Sequence, residues 1–466
     1  MKILEINNID LPGKVFNGYD LQKFINENTK HTAKQMVIEK LSKDKNVITF
    51  FKKSLLSFQN LISGLENEIM SVHSQLSITS PALLKNKDFC QADLVHYHLI
   101  HNTKLSLKSL INLCAIKPSI ISIHDPWFFT GRCVHPESCE KWLNGCNNCQ
   151  YLSTLFPFKE DNCKYLWKLK KKVYSNLDVD YIVSTPFMLD MFKKSPLTKK
   201  SNRVHLIPFG IDLKKYSNSM PKEDARHYFS IPSDEVVLFF RAQKDFKGTS
   251  YLVEALSELE SDKKITLLSC GETGIIDNLK QKYNVIELGY IGEEEVIRAM
   301  NACDVFLMPS IGESFGLMAI EAMACSKPVV VFNNTALPSV TFAPKCGVLV
   351  ENKNSIKLME AIKWMIDDEK ERVKRGKLGR KLAEEHYDVD KYNQKILDLY
   401  LSISRRKHKK IMNNSPIKID YSQKGIQELI KKLKKIVSII FCERIPNFSF
   451  LKHEDMSYLP DESRID

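Results

Sequence analysis

The chain has 466 residues, 43% of them apolar and 27% charged, with a formal net charge of +12 at pH 7. This ordinary globular composition supports two or three domains; the absence of an 18-residue apolar run and of a signal-peptide pattern in MKILEINNID argues against a membrane span or secretion and for a cytoplasmic location. The charge does not argue for nucleic acid either, because twelve Lys or Arg against three acids between Arg405 and Arg444 place +9 of it in a tail with few aromatics for base stacking.

In chain order, the apolar run Lys2–Asn8 reads as a strand, followed by a loop bearing Gly13 and Gly18 and a helix beginning near Tyr19. Short apolar runs at 47–51, 94–97, 120–123 and 181–184 follow, with helix-length segments between them. That alternation predicts crossover connections and a parallel sheet. A second series runs through 236–240, 265–270, 285–288, 305–308 and 329–332. Two doubly wound α/β domains are expected, 1–212 and 213–387, with the boundary after the turn-rich Ile207–Asp212. A helix over 388–403 closes the second domain, and 404–466 forms a basic tail.

The most informative stretch runs from Pro309 to Pro328. A strand ends at Pro309, a loop with Gly312 and Gly316 follows, and a strong helix-forming run starts at Leu317. Free N–H groups and the positive end of the helix then face the loop, which suits a diphosphate at Phe315, Gly316 and Leu317. Glu313 falls in the loop, where it can face a sugar, and Glu321 one turn into the helix, where it can accept from ribose hydroxyls. The bland alternative is a βα unit with two solvated carboxylates. The combination of Ser-Phe-Gly, Glu-Ala-Met-Ala and Lys-Pro-Val-Val around Glu313 and Glu321 resembles the retaining glycosyltransferases of family 4 and their Glu-x7-Glu motif.

That resemblance implies the GT-B fold, with two Rossmann-like domains facing a cleft, a nucleotide diphosphate sugar as donor, retention of configuration and no catalytic metal. It also implies roles for further residues. Arg241 and Lys247, in Phe240-Arg-Ala-Gln-Lys-Asp-Phe-Lys-Gly248, match the cations that neutralise the donor diphosphate as negative charge develops on it. Gly271 matches the glycine turn of the second domain, and Tyr290 and Ile291 the segment along the nucleobase. His124, in Ile121-Ser-Ile-His-Asp125, matches a histidine that contacts the donor sugar. The early loop departs from the family's paired glycines; Gly18, directly before the helix, is the better placed to approach a phosphate.

His96 and His98 share one face of a strand, and a structural or acceptor-facing role is favoured there over a metal. After His124 comes an insertion with Cys133, Cys139, Cys146 and Cys149, ending in Cys-x-x-Cys. Four cysteines so close suit a structural zinc, with a disulfide or free-thiol packing as the alternative. Similar Cys-rich segments occur in glycosyltransferases of bacterial surface-polysaccharide clusters, which implies a glycan or lipid-linked acceptor. From Ile426 to Phe441 apolar residues recur at helical spacing beside four lysines; this suits either a helix on an anionic membrane surface or one docked on the protein. The rival readings are a sugar phosphate synthase or phosphorylase of the same fold, and a nucleic-acid-binding protein using the tail.

Overall fold

A computed structural model describes residues 1–405, apart from 12, 51–52, 73–74, 78, 154–158 and 245. The basic tail, including the amphipathic stretch 426–441, lies outside the described residues.

The first half forms a seven-stranded sheet of β1 (Lys2–Ile6), β2 (Thr32–Val37), β3 (Val47–Thr49), β4 (Leu94–Tyr97), β5 (Ser119–Ile123), β6 (Asp180–Val183) and β7 (Val204–Leu206). The second half forms a six-stranded sheet of β8 (Val236–Ala242), β9 (Ile265–Gly271), β10 (Asn284–Glu287), β11 (Val305–Met308), β12 (Val329–Phe332) and β13 (Val348–Val350). Every pairing is parallel. Helices cover the faces, so the central strands are apolar on both sides: Ile120, Ile121 and Ile123 of β5 and Val329, Val330 and Val331 of β12 are all buried.

The strand orders are β3-β2-β1-β4-β5-β6-β7 and β10-β9-β8-β11-β12-β13. Order reverses between β1 and β4 in one sheet and between β8 and β11 in the other. In doubly wound sheets the crevice at such a reversal, beyond the carboxyl ends of the strands, receives the ligand. Gly18, His98, Arg241 and Glu313 follow or end these four strands.

Three strands escape a reading by apolar runs. The strand β2, Thr-Ala-Lys-Gln-Met-Val, begins with polar residues facing out, and β7 and β13 are only three residues long. The last described helix, Val389–Arg405, does more than close the second domain. Its start pairs back to the linker through an isolated bridge between Ile211 and Asp388, and its Tyr400 hydroxyl donates to Glu5 of β1 at 2.7 Å. The chain thus crosses back to the first sheet.

Candidate active site

The second-domain wall is built by two loops that hold each other. Backbone N–H groups of Ile311 and Gly312 both donate to the Phe246 carbonyl, at 2.8 and 3.3 Å. A Cβ on Gly248 would lie 1.9 Å from the Pro309 carbonyl oxygen, and the residue has φ +71, so only glycine allows this approach. The contact sets Lys247 beside Glu313, with Nζ 2.7 Å from the carboxylate. Burial pushes the Glu313 carboxyl up, but Lys247, His135 and the Phe315 N–H outweigh it and hold the group below its ordinary value. At the end of the loop Gly316 has φ +98, and a Cβ there would meet Leu337 at 2.5 Å. The helix Leu317–Ala324 then begins with its amino end at the cavity.

Glu321, in the middle of that helix, is hydrogen-bonded to Tyr216; desolvation pushes its carboxyl up to about 7, against the pull of Tyr216 and Arg241. Gly271 ends β9 at φ +104, where a Cβ would meet the Ala242 carbonyl at 2.5 Å.

The first-domain wall centres on His124, which directly follows β5. Its ring stacks on Phe209 with centroids 5.8 Å apart and lies 5.6 Å from Phe16. Its Nε2 is 3.1 Å from His98 Nδ1. Burial, then His98, His96 and His101, hold the imidazole neutral well below its usual range. His96 and His98 do share a face, with ring centroids 4.0 Å apart. With Glu5 they form the one group of three ligand-type side chains, among the described residues, whose atoms lie within 4.8 Å of one another. The separations from Glu5 Oε2, 2.8 Å to His98 and 3.1 Å to His96, are those of hydrogen bonds.

The Cys-rich insertion reaches across the cleft. His135 packs on Phe246 at 4.7 Å, and a Cβ on Gly312 would strike its ring at 2.7 Å. Glu137 pairs with Lys353 of the second domain. Beneath the insertion the buried Lys170 ammonium sits 3.3 Å over the Trp127 ring and donates to the Trp127 and Thr130 carbonyls at 2.6 and 3.0 Å. Cys133, Cys139, Cys146 and Cys149 are free thiols and do not converge as three or four ligand atoms. Cys146 Sγ instead accepts from the Gly131 N–H at 3.1 Å, and Cys149 pairs with Cys163, which draws its thiol down to about 6.

The two walls enclose a cavity of about 330 Å³, at the small end of the range for ligand pockets. Of the residues singled out in the sequence, His124, Arg241, Lys247, Glu313, Phe315, Gly316 and Leu317 line it, whereas Gly18, Gly271, Tyr290, Ile291 and Glu321 do not. Tyr290 is 38% exposed on the loop before the helix Glu293–Ala302. Among the lining residues that sequence reasoning missed, His135, Ser310 and Ser314 carry polar groups. Both serines are buried, and their hydroxyls have no partner among the described residues, which leaves them free for a bound molecule. Their position inside the 309–328 segment was the available signal; His135 had none beyond its place between two cysteines.

Residues 222–382 match the family model of the glycosyl transferases group 1. This part of the chain is similar to the group 1 glycosyl transferases. It contains Arg241, Lys247, Glu313 and Glu321. Among curated relatives, the chain is 25% identical over 258 residues to the colanic acid biosynthesis glycosyl transferase WcaC of Escherichia coli (strain K12), covering 53% of this chain and 61% of that one. It is 27% identical over 192 residues to the D-inositol 3-phosphate glycosyltransferase of Corynebacterium efficiens, covering 38% and 45%. The matches therefore span about half the length of these relatives. Solved structures extend the likeness beyond residues 222–382. Sucrose-phosphate synthase from Thermosynechococcus elongatus superposes with a TM-score of 0.62 at 18% identity, covering 86% of this chain and 99% of that one. Anabaena HepE, solved with UDP and glucose, gives 0.61 at 17% identity, covering 86% and 100%. At such identities the likeness is one of fold, the two-domain GT-B architecture.

Proposed function

We propose that this protein is a retaining family-4 glycosyltransferase that moves a sugar from a nucleotide diphosphate sugar to a glycan or lipid-linked glycan, in surface-polysaccharide biosynthesis. The observation that carries the reading is the Glu313–Lys247 pair at 2.7 Å, set in one cavity with Arg241, His124 and the start of the helix Leu317–Ala324. Residues 1–212 serve as the acceptor half and 213–387 as the donor half. Arg241, Lys247 and the backbone at Phe315–Leu317 hold the diphosphate and stabilise the charge that grows on it as the sugar–phosphate bond breaks. Glu313 and His124 face the sugar, Glu321 the ribose, Gly18 a phosphate, and Gly271, Tyr290 and Ile291 the nucleoside. The transition state is oxocarbenium-like, and the leaving phosphate takes the acceptor proton on the same face. Closure of the cleft excludes the water that would hydrolyse the donor. Two cations do the charge work here, so no catalytic metal is part of the reading.

HepE was solved with UDP and glucose, which supports a nucleotide-sugar donor here. A structural zinc on Cys133, Cys139, Cys146 and Cys149 would require these thiols to move together from where they stand, and elemental analysis of the purified protein decides it.

The test is a panel of UDP-glucose, UDP-galactose, UDP-N-acetylglucosamine and GDP-mannose, scored by release of free nucleoside diphosphate. The reading expects one donor to be consumed slowly without acceptor, with the sugar released in its original anomeric form by NMR. An inverted product would refute retention.

A further inference from the structure

Behind His124 lies a buried chain of polar groups that holding a donor does not by itself require. Glu5 on β1, His96 on β4, His98 directly after it, and Tyr400 on the closing helix are all buried. The Tyr400 hydroxyl donates to Glu5 Oε1 at 2.7 Å, and His98 Nε2 lies 2.8 Å from Glu5 Oε2. A Cβ on Gly18 would stand 3.0 Å from both Glu5 Oε2 and His98 Nε2, so the glycine lets the helix start pack down on the pair. His98 Nδ1 then faces His124 Nε2 at 3.1 Å, with the two rings nearly parallel.

With Glu5 ionised and His98 neutral, the hydrogens along the Glu5–His98–His124 chain are fixed in order. An ionised carboxylate only accepts, so His98 Nε2 carries a hydrogen. A neutral imidazole with hydrogen on Nε2 has its lone pair on Nδ1. The hydrogen between the two histidines therefore belongs to His124 Nε2, and His124 Nδ1 is bare. The charges agree: burial raises the Glu5 carboxyl, but His96 and His98 bring it down to about 2, while burial and then His96 draw His98 down to about 4 against the pull of Glu5 and of the Phe16 carbonyl, which also accepts from the ring. The other ionisable groups nearby make further contacts. His96 lies between the Tyr400 hydroxyl and Ser122 Oγ and also stands 3.1 Å from Glu5 Oε2, and His101 is 3.5 Å from Asp125.

We propose that Glu5 and His98 are positioning residues that fix His124 as the Nε2–H tautomer, so that its Nδ1 meets a donor-sugar hydroxyl as a hydrogen-bond acceptor. This rests on the reading of His124 as a sugar-contacting residue. Glu5→Gln keeps the shape and reverses the chain: the introduced amide donates to His98 Nε2, His98 Nδ1–H donates to His124 Nε2, and His124 Nδ1 becomes the donor.

The experiment is nitrogen NMR on histidine-labelled full-length protein, with the His124 signals assigned by their loss in His124→Ala. Wild-type protein should show a protonated Nε2 and a bare Nδ1 at His124, and Glu5→Gln the reverse. In the nucleotide-sugar panel Glu5→Gln should lower kcat by about 10- to 100-fold, the range one hydrogen bond to a reacting group covers. Affinity for UDP and GDP should change by less than about twofold, because the relay faces sugar and not diphosphate. A protonated Nδ1 at His124 in the wild type overturns the proposal whether or not the variant folds. So does an unchanged tautomer in folded Glu5→Gln, or a bound metal that is lost in His98→Ala. Full turnover in His124→Ala would refute the sugar contact alone, leaving the tautomer measurement to judge the relay.

Discussion

Lys247 and Gly248 show how one residue prepares its neighbour for chemistry. The left-handed backbone at Gly248 lets its loop touch Pro309, and that contact brings the Lys247 ammonium to Glu313. Gly248→Ala should cost about 1–2 kcal/mol for the backbone conformation alone, with more from the collision, and should separate the ion pair. Denaturant unfolding with a donor titration checks this: a variant as stable as the parent with unaltered donor affinity would contradict it. Much of the cavity wall is legible at the residue scale because the diphosphate site proposed here restricts the choice of residue. Glycines at close approaches, a Lys and an Arg for charge, and carboxylates at fixed spacing leave a pattern in two short segments, 240–248 and 309–328. His135 leaves none, since its role comes from the insertion folding over Gly312, a contact between residues 177 positions apart.

The closing helix Val389–Arg405 reads plainly as a helix, but its destination does not. Periodicity reports that one face is apolar and says nothing of which sheet receives it. Tyr400 decides the matter by reaching Glu5, and the resulting buried cluster makes stability depend on acidity. His98 titrates near 4 in the folded chain against about 6.5 when unfolded, so between these values the unfolded state binds more protons. Stability should therefore fall as pH drops from about 6.5 to 4. Glu5, with its folded value lowered to about 2, adds a contribution that is whole above the ordinary carboxylate value and is lost as pH falls from about 4.5 toward 2. Denaturant midpoints at pH 7.5, 5.5 and 4 should decline by an amount worth a few kcal/mol, and a smaller decline in His98→Gln would tie it to this ring. A flat profile would refute the cluster's electrostatics. The edge strands β7 and β13 and the polar-fronted β2 were illegible for a simpler reason: three residues, or alternating polar ones, do not make an apolar run.

At the scale of the molecule, two sheets with the same order of reversal face each other across one cavity, and the segment that matches the group 1 family model supplies only one of its walls. The first domain and its insertion supply the other, through His124 and His135, and hold it there with the Glu137–Lys353 pair. Acceptor choice belongs to that wall in this account. No helix among the described residues is long and apolar enough to cross a membrane, and a lipid-linked acceptor would have to be met at a surface. The lysine-rich segment after Ser404 suits that task by its charge. Removing it should weaken binding to vesicles containing anionic lipid by about tenfold or more, since each lysine near such a surface contributes about 1 kcal/mol, while turnover on a soluble acceptor persists. Unchanged partitioning would count against a membrane role. The claim on which everything else depends is that Glu313 and its cation pair act on a nucleotide sugar, and the most direct measurement compares donor consumption by wild-type protein and Glu313→Ala over the nucleotide-sugar panel. The account predicts that the wild type consumes one donor and that the variant, with its fold intact by circular dichroism, is slower by about a hundredfold or more; equal rates in the two proteins would contradict it.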